Sequence, residues 1–231
     1  MSRIGSEIII IVMANGKDVD CDAFGGTHPT VYHPFLSAIL PDLKNKIILD
    51  IGCGKGMVGF LIRTQRDLTN STLIGMDISK SFLFFSKKHN IYDKLIAGDI
   101  TKKLPFKDNS VDLIICSEVI EHMKKEIGKK LLNEIDRIIA KNGRVIITTP
   151  NVWLKMPSTN YFDQHHSLWN VNDFTKRGYS VNGIGIKLPF NIIAWYTPII
   201  QSLYYFMTPF AFIFPRISGL LIAHKDFTEK D

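Results

Sequence analysis

Cysteine is scarce. The 231 residues hold three, Cys21, Cys53 and Cys116, at no spacing that closes a disulfide framework or a zinc site. That excludes a disulfide-stapled secreted scaffold and points to a reducing, cytoplasmic compartment. Arginine is also sparse, so the net charge of +6 comes mainly from lysine. Lysine doublets (Lys87-Lys88, Lys124-Lys125, Lys129-Lys130) fall in helix-like stretches without interleaved aromatics. They suggest a solvated surface rather than a nucleic-acid patch, which would cluster arginine. Long apolar runs near the start are scarce as well: the run at 8–13 is too short for a signal-peptide core and has no small-residue cleavage site. That run reads either as an added strand or as sequence ahead of a true start at Met13.

What is present is ordinary for a folded α/β protein: 45% apolar and 22% charged residues. The length suits one domain, assigned to 30–231 after an N-terminal extension at 1–29. A lead-in helix is expected over Val31 to Leu40, ended by Pro41.

The chain is organised around Ile47 to Gly59, I-I-L-D-I-G-C-G-K-G-M-V-G. A buried strand ends in Asp50 and Ile51 and breaks into glycines, after which Met57 to Arg66 has helical spacing. Glycine lets the backbone turn sharply and approach a ligand, and the helix start offers amide donors above it. Further strands are expected at Thr72–Asp77, Leu95–Ala97, Val111–Cys116, Arg144–Thr149, Tyr179–Lys187 and Ile217–His224. Ser79 is expected to cap the helix after the second of these strands, and Asn170 or Asn172 a short helix at 170–177. A long amphipathic helix is expected over Lys124 to Lys141, stopped by Asn142-Gly143. Hydrophobic strands alternating with helices predict a doubly wound, mostly parallel sheet. Ligands bind such sheets outside the carboxyl ends of the strands. Asp50, Asp77, Asp99 and Ser117-Glu118 all fall there.

Gly54 to Gly59 satisfies G-x-G-x-x-G, so a nicotinamide or flavin cofactor has to be weighed. An acid at the end of the first strand repels a pyrophosphate and suits a cationic, amino-acid-bearing ligand. Asp77 lies 25 residues beyond Gly52, near the ~20-residue offset at which an acid meets ribose hydroxyls. L-D-I-G-C-G-K-G, G-M-D-I-S, A-G-D-I and V-D-L-I-I-C-S-E-V-I-E-H, in that order, resemble the class I S-adenosylmethionine-dependent methyltransferases. The resemblance covers roughly 30 to 187. It implies a seven-stranded sheet whose last strand is antiparallel, with S-adenosylmethionine as methyl donor. It also implies that Gly52 and Gly54 contact the methionine portion, that Asp50 orients it, and that Cys53 belongs to the cofactor site. Asp77 would then hold the ribose hydroxyls, Ile78 would face the adenine, Asp99 with Ile100 would read its amino group, and Ser117 would meet the ligand's amino end.

The acceptor side is read from Glu118-Val-Ile-Glu121-His122 and the later H-H-S-L-W. On one helical turn, residues at i, i+3 and i+4 share a face. Glu118, Glu121 and His122, with His165 or His166, could hold a divalent cation such as magnesium in a hard, mostly oxygen site. The same pattern resembles the ubiquinone-pathway O-methyltransferases and the small-RNA 2′-O-methyltransferases, which imply a metal-polarised hydroxyl. Without a metal, His122 or Glu118 would act as a general base, or His122 would only line the pocket.

Between the sixth and seventh strands, 188–215 carries no charged residue and is rich in aromatics. It is long enough to span a bilayer. The neighbouring strands require both its ends on one side, however, and Pro198 and Pro209 are expected to break a continuous helix. The remaining readings are an apolar lid, a membrane-dipping element, an oligomer interface or a cap buried in its own domain. The acceptor expected from this composition is small and lipid-like or aromatic. RNA methylation and a non-catalytic S-adenosylmethionine-binding module are the alternatives.

Overall fold

The computed structural model describes residues 10–12, 29–152, 160–187 and 198–228. In chain order the elements are β1 (Ile10–Val12), α1 (Pro29–Ile39), β2 (Ile47–Ile51), α2 (Met57–Gln65), β3 (Thr72–Asp77) and α3 (Lys80–Lys88). They continue as β4 (Lys94–Ala97), β5 (Val111–Ser117), a 3₁₀ turn at Ile120–His122, α4 (Lys125–Ile138) and β6 (Ile139–Pro150). The last are α5 (Val171–Thr175), β7 (Ser180–Ile184), α6 (Pro198–Ile213) and β8 (Leu220–Asp226). They build one sheet in the order β1-β4-β3-β2-β5-β6-β8-β7.

The seven expected strands are β2 to β8, parallel except that β8 runs antiparallel to both β6 and β7. β1 adds an eighth strand at the edge, with Ile10–Val12 in parallel register with Leu95–Ala97. Part of the 8–13 run is thus a strand, as one of its two readings expected. The rest of the 1–29 extension lies outside the described residues, apart from the first residue of α1.

The central strands are apolar on both faces because helices cover both. Leu49 and Ile51 join a core with β5, β6 and α4, while Ile48 joins the opposite core with α1 to α3. The expected stripe on α4 buries Leu131, Leu132, Ile135 and Ile138. At ~1.5–3 kcal/mol for each buried side chain, it outweighs the ~1 kcal/mol that Gly128 costs inside a helix. Gly128 itself is required by packing: a Cβ there would stand 2.5 Å from Trp169 Cζ2. α4 ends three residues earlier than expected, at Ile138. Ile139 already pairs with Val111, and the ladder resumes at Arg144 opposite Leu113 after the left-handed Asn142.

Two caps sit where expected. Ser79 accepts from the Phe82 amide at the start of α3, and Asn170 forms a capping box with Asp173 at α5. One expectation fails at Pro209: α6 runs through it to Ile213, while Pro198 starts the helix rather than breaking it. Proline sacrifices one helical hydrogen bond, and packing of α6 on β7 outweighs that loss. Asn182 Nδ2 reaches the Phe212 carbonyl, and the Gly185 amide donates to Thr208 Oγ1. Residues 188–197, the first part of the charge-free insertion, lie outside the described residues. Among the described residues no helix is long and apolar enough to cross a membrane.

Candidate active site at the carboxyl ends of the strands

β2 passes into its turn at Gly52. The amides of Gly52 and Cys53 both donate to the Met76 carbonyl, at 2.8 and 3.0 Å, which ties the turn to β3. Gly52, Gly54 and Gly56 all have positive φ, at +67°, +51° and +91°. That conformation is open to glycine and strained for residues with a Cβ. At Gly52 the space is closed as well, since a Cβ would lie 2.4 Å from Val119 Cγ2. Gly56 caps α2 without a side chain, so the positive helix end faces the turn. Gly59, the last glycine of the G-x-G-x-x-G match, lies inside α2 and serves packing instead. A Cβ on it would stand 2.5 Å from the Tyr92 ring.

The strand-end acids are partly built into this loop. Asp77 Oδ2 accepts from the Gly54 amide and Oδ1 from the Ser79 amide, both at 2.8 Å. Burial raises its pKa and these amides draw it back. Ile78 follows, half-buried. Asp99, half-buried at the end of β4, accepts from the Thr101 amide and hydroxyl at 2.9 and 2.7 Å. Ile100 leans on the core beside it. Asp50 is buried and accepts a 2.5 Å hydrogen bond from the Tyr92 hydroxyl. Burial pushes its pKa up to about 7, against the pull of that bond. The Cys53 side chain is 6% exposed and packs in the core, so only its backbone remains for a ligand. Tyr92 was not found by sequence reasoning. It is matched to Gly59 and Gly75, which lie far from it in the chain.

In the segment expected to meet the acceptor, β5 ends at Ser117 and the next residue, Glu118, has a φ of +54°. The expected face of Glu118, Glu121 and His122 therefore does not form, because Glu118 precedes the 3₁₀ turn. Two neighbouring threonines of β6 bind the two acids separately. Thr148 Oγ1 donates to Glu118 Oε1 at 3.1 Å and lies 2.8 Å from Ser117 Oγ. Thr149 Oγ1 donates to Glu121 Oε2 at 3.1 Å. Glu121 is 1% exposed, and its Oε1 has no hydrogen-bond partner. Burial raises the pKa of both acids, and for Glu121 the Glu118 charge raises it further.

Glu121, His122 and His165 come together, each offering one ligand atom within 4.8 Å of the others. His122 Nδ1 faces the Gln164 carbonyl at 3.2 Å, which leaves Nε2 free of that contact. The two imidazoles meet edge to face at 4.9 Å. Burial lowers both pKa values, that of His165 to about 4, so both rings are neutral near pH 7 and able to ligate. His166 turns away: its Nε2 meets the Tyr161 carbonyl at 2.8 Å, and its ring stacks on Tyr161. The loop is held by Trp169, whose indole nitrogen donates to Ser167 Oγ at 2.9 Å and the Ile120 carbonyl at 3.2 Å. The Glu121 carbonyl also receives the amides of His166 and Ser167.

A family profile described as a methyltransferase domain matches residues 42–182, from the lead-in to β2 through to β7. The chain belongs to the class I S-adenosylmethionine-dependent methyltransferases. S-adenosylmethionine is the cofactor of that family. Among similar proteins, an uncharacterized protein of Methanocaldococcus jannaschii is 32% identical over 151 residues, 63% of this chain and 61% of its own length. A ubiquinone biosynthesis O-methyltransferase of Pelagibacter ubique is 32% identical over 115 residues, 49% of this chain and 45% of its own. The chain thus spans less than two thirds of the length of these relatives. A chain in the complex of the Haloferax volcanii Trm112 methyltransferase activator with a methyltransferase has the same fold. It gives a TM-score of 0.58 at 18% identity, over 87% of this methyltransferase and 91% of that chain.

Proposed function

We propose that this methyltransferase transfers the methyl group of S-adenosylmethionine to a hydroxyl of a small apolar or lipid-like molecule. The observation that carries this reading is the cluster of Glu121, His122 and His165 immediately beyond β5. It lies next to the strand ends at which the family binds its cofactor. Two relatives named as ubiquinone biosynthesis O-methyltransferases support a hydroxyl acceptor.

The cluster fits a divalent cation. One buried carboxylate oxygen of Glu121 lacks a partner, and two imidazoles, neutral near pH 7, each offer a nitrogen within 4.8 Å of a Glu121 carboxylate oxygen. Because Glu118 stands outside, the set is two nitrogens and one oxygen. That favours a borderline ion such as zinc over magnesium. When bound, the ion would lower the pKa of the acceptor hydroxyl. S-adenosylmethionine supplies the sulfonium methyl for an in-line displacement, in which the protein's main task is alignment. Glycines 52 and 54, with Asp50, Asp77 and Asp99, hold the donor. Ser117 lies between the donor site and Glu118, to which it is joined through Thr148. Glu118 receives the acceptor's proton, its pKa lifted towards neutrality by burial.

The apolar class of the acceptor, and contact with a membrane surface, are supported by α6. Phe206, Phe210 and Ile213 are 72%, 55% and 70% exposed, at helical spacing along one stripe. Such a surface suits lipid better than an aqueous RNA groove. Incubation of labelled S-adenosylmethionine with a lipid extract, a polar metabolite extract and total RNA tests the proposal. Label is expected in the lipid arm. Label in RNA alone would overturn the acceptor class, and cofactor binding without label in any arm would favour the non-catalytic module.

A further inference from the structure

The buried phenol of Tyr92 is not explained by packing alone. Its ring, 1% exposed, fills a slot left by two glycines. A Cβ at Gly59 would stand 2.5 Å from its Cε1, and one at Gly75 would stand 2.9 Å from its Cδ2. The phenol oxygen receives the Gly59 amide, which belongs to the first turn of α2 and has no partner within the helix. The phenol proton in turn points at Asp50 Oδ2, 2.5 Å away. A helix N-terminus is thus linked through one hydroxyl to a buried carboxylate, in the orientation that favours the carboxylate's charge.

We propose that Tyr92 is a positioning residue for the methyl donor: it orients the Asp50 carboxylate beneath the glycine turn and favours its charged form. This inference rests on the reading of the glycine turn as the S-adenosylmethionine site. An ionised carboxylate there attracts the cationic amino-acid portion of the donor; a neutral acid does not. Among the described groups facing Asp50, Asp77 opposes its ionisation, and the thiols of Cys53 and Cys116 are themselves pushed up by burial and carry no charge near pH 7. Tyr92 is the group that favours it. Burial raises the Asp50 pKa to about 7 even with the Tyr92 bond pulling it down, so the loss of that charge-assisted hydrogen bond would leave it largely protonated there.

Calorimetric titration of the full chain with S-adenosylmethionine, on wild type and Tyr92→Phe, tests this without any acceptor. The isosteric ring keeps the slot filled. The variant is expected to bind about tenfold more weakly near pH 7, with the deficit narrowing to about twofold near pH 8.5. The ligand's own titration cancels in the ratio of the two affinities. Equal affinities at every pH, or a deficit of constant size across pH, would overturn the proposal, the latter because it marks packing alone. If Tyr92→Phe does not fold, Asp50→Asn provides the second measurement: wild-type affinity relative to this variant should rise as pH increases through about 7. A flat ratio would also overturn it. Absence of binding by the wild type would instead overturn the cofactor reading, and with it the role given to Asp50.

Discussion

Thr149 donates its hydroxyl to one carboxylate oxygen of Glu121 at 3.1 Å, while the other oxygen, equally buried, receives nothing. A half-satisfied buried carboxylate is costly unless it is protonated or bound to a cation. In the proposed reading a divalent ion fills that gap. Thr149→Val should therefore lower the stability of metal-free protein by about 1–3 kcal/mol, and added zinc should recover part of the loss. Denaturant melts with and without the ion check this; a loss that zinc leaves untouched would count against the metal site.

His165 supplies a pH signature. Its folded pKa, about 4, lies below the ordinary 6.5 because burial disfavours the imidazolium. The unfolded chain therefore takes up a proton first as pH falls. The stability due to neutral His165 is complete above about pH 6.5 and is lost progressively towards pH 4. His165→Gln removes this term. The stability difference between wild type and His165→Gln should drift against the wild type across that window and stay constant above it. Melts at stepped pH read it directly, and an unchanging difference would mean that the ring is better solvated than its packing implies.

The cofactor half of the site was more legible in the sequence than the acceptor half, for a physical reason. Asp50, the glycines, Asp77 and Asp99 are placed by strand ends, and apolar runs ending in acids mark strand ends directly. Glu118 to His122 was harder. The helical face assumed for it depends on the conformation of a single residue, and Glu118 adopts a positive φ. That moves one carboxylate to Thr148 and leaves the cluster with His165. Trp169 stood in the H-H-S-L-W stretch, but its anchoring role was not legible, and Tyr92 was missed altogether: one is matched to Gly128 and the other to Gly59 and Gly75, all remote in sequence. The strand at Ile10–Val12 was written plainly as an apolar run, but its partner β4 could not be chosen without the sheet order.

Gly52 combines strain and closure. Gly52→Ala would force a Cβ into a left-handed backbone, at ~1 kcal/mol or more, and against the Val119 side chain. The turn has to shift to accept it, so the loss should appear in donor affinity well before it appears in fold. A drop of at least about tenfold in S-adenosylmethionine affinity, ~1.4 kcal/mol, with far-ultraviolet dichroism retained, is the expected outcome. Unchanged affinity would show that the turn does not contact the donor closely.

The stripe on α6 decides between a lid and a membrane surface. Phe206, Phe210 and Ile213 are exposed, so replacing all three by serine should leave thermal stability within about 0.5 kcal/mol per site. A lid closing over a small acceptor would raise the acceptor's KM in this variant whether or not membrane is present. A surface element would change only binding to vesicles. The stretch 188–225 contains no acidic residue, and Arg216 is exposed at the end of the stripe. Anionic vesicles should accordingly capture the wild type better than neutral ones, with the difference shrinking as salt screens it. Co-sedimentation with phosphatidylglycerol and phosphatidylcholine vesicles, for wild type and triple variant, measures this. Equal recovery of the two proteins with anionic vesicles would remove the membrane role and leave the stripe to cover the acceptor.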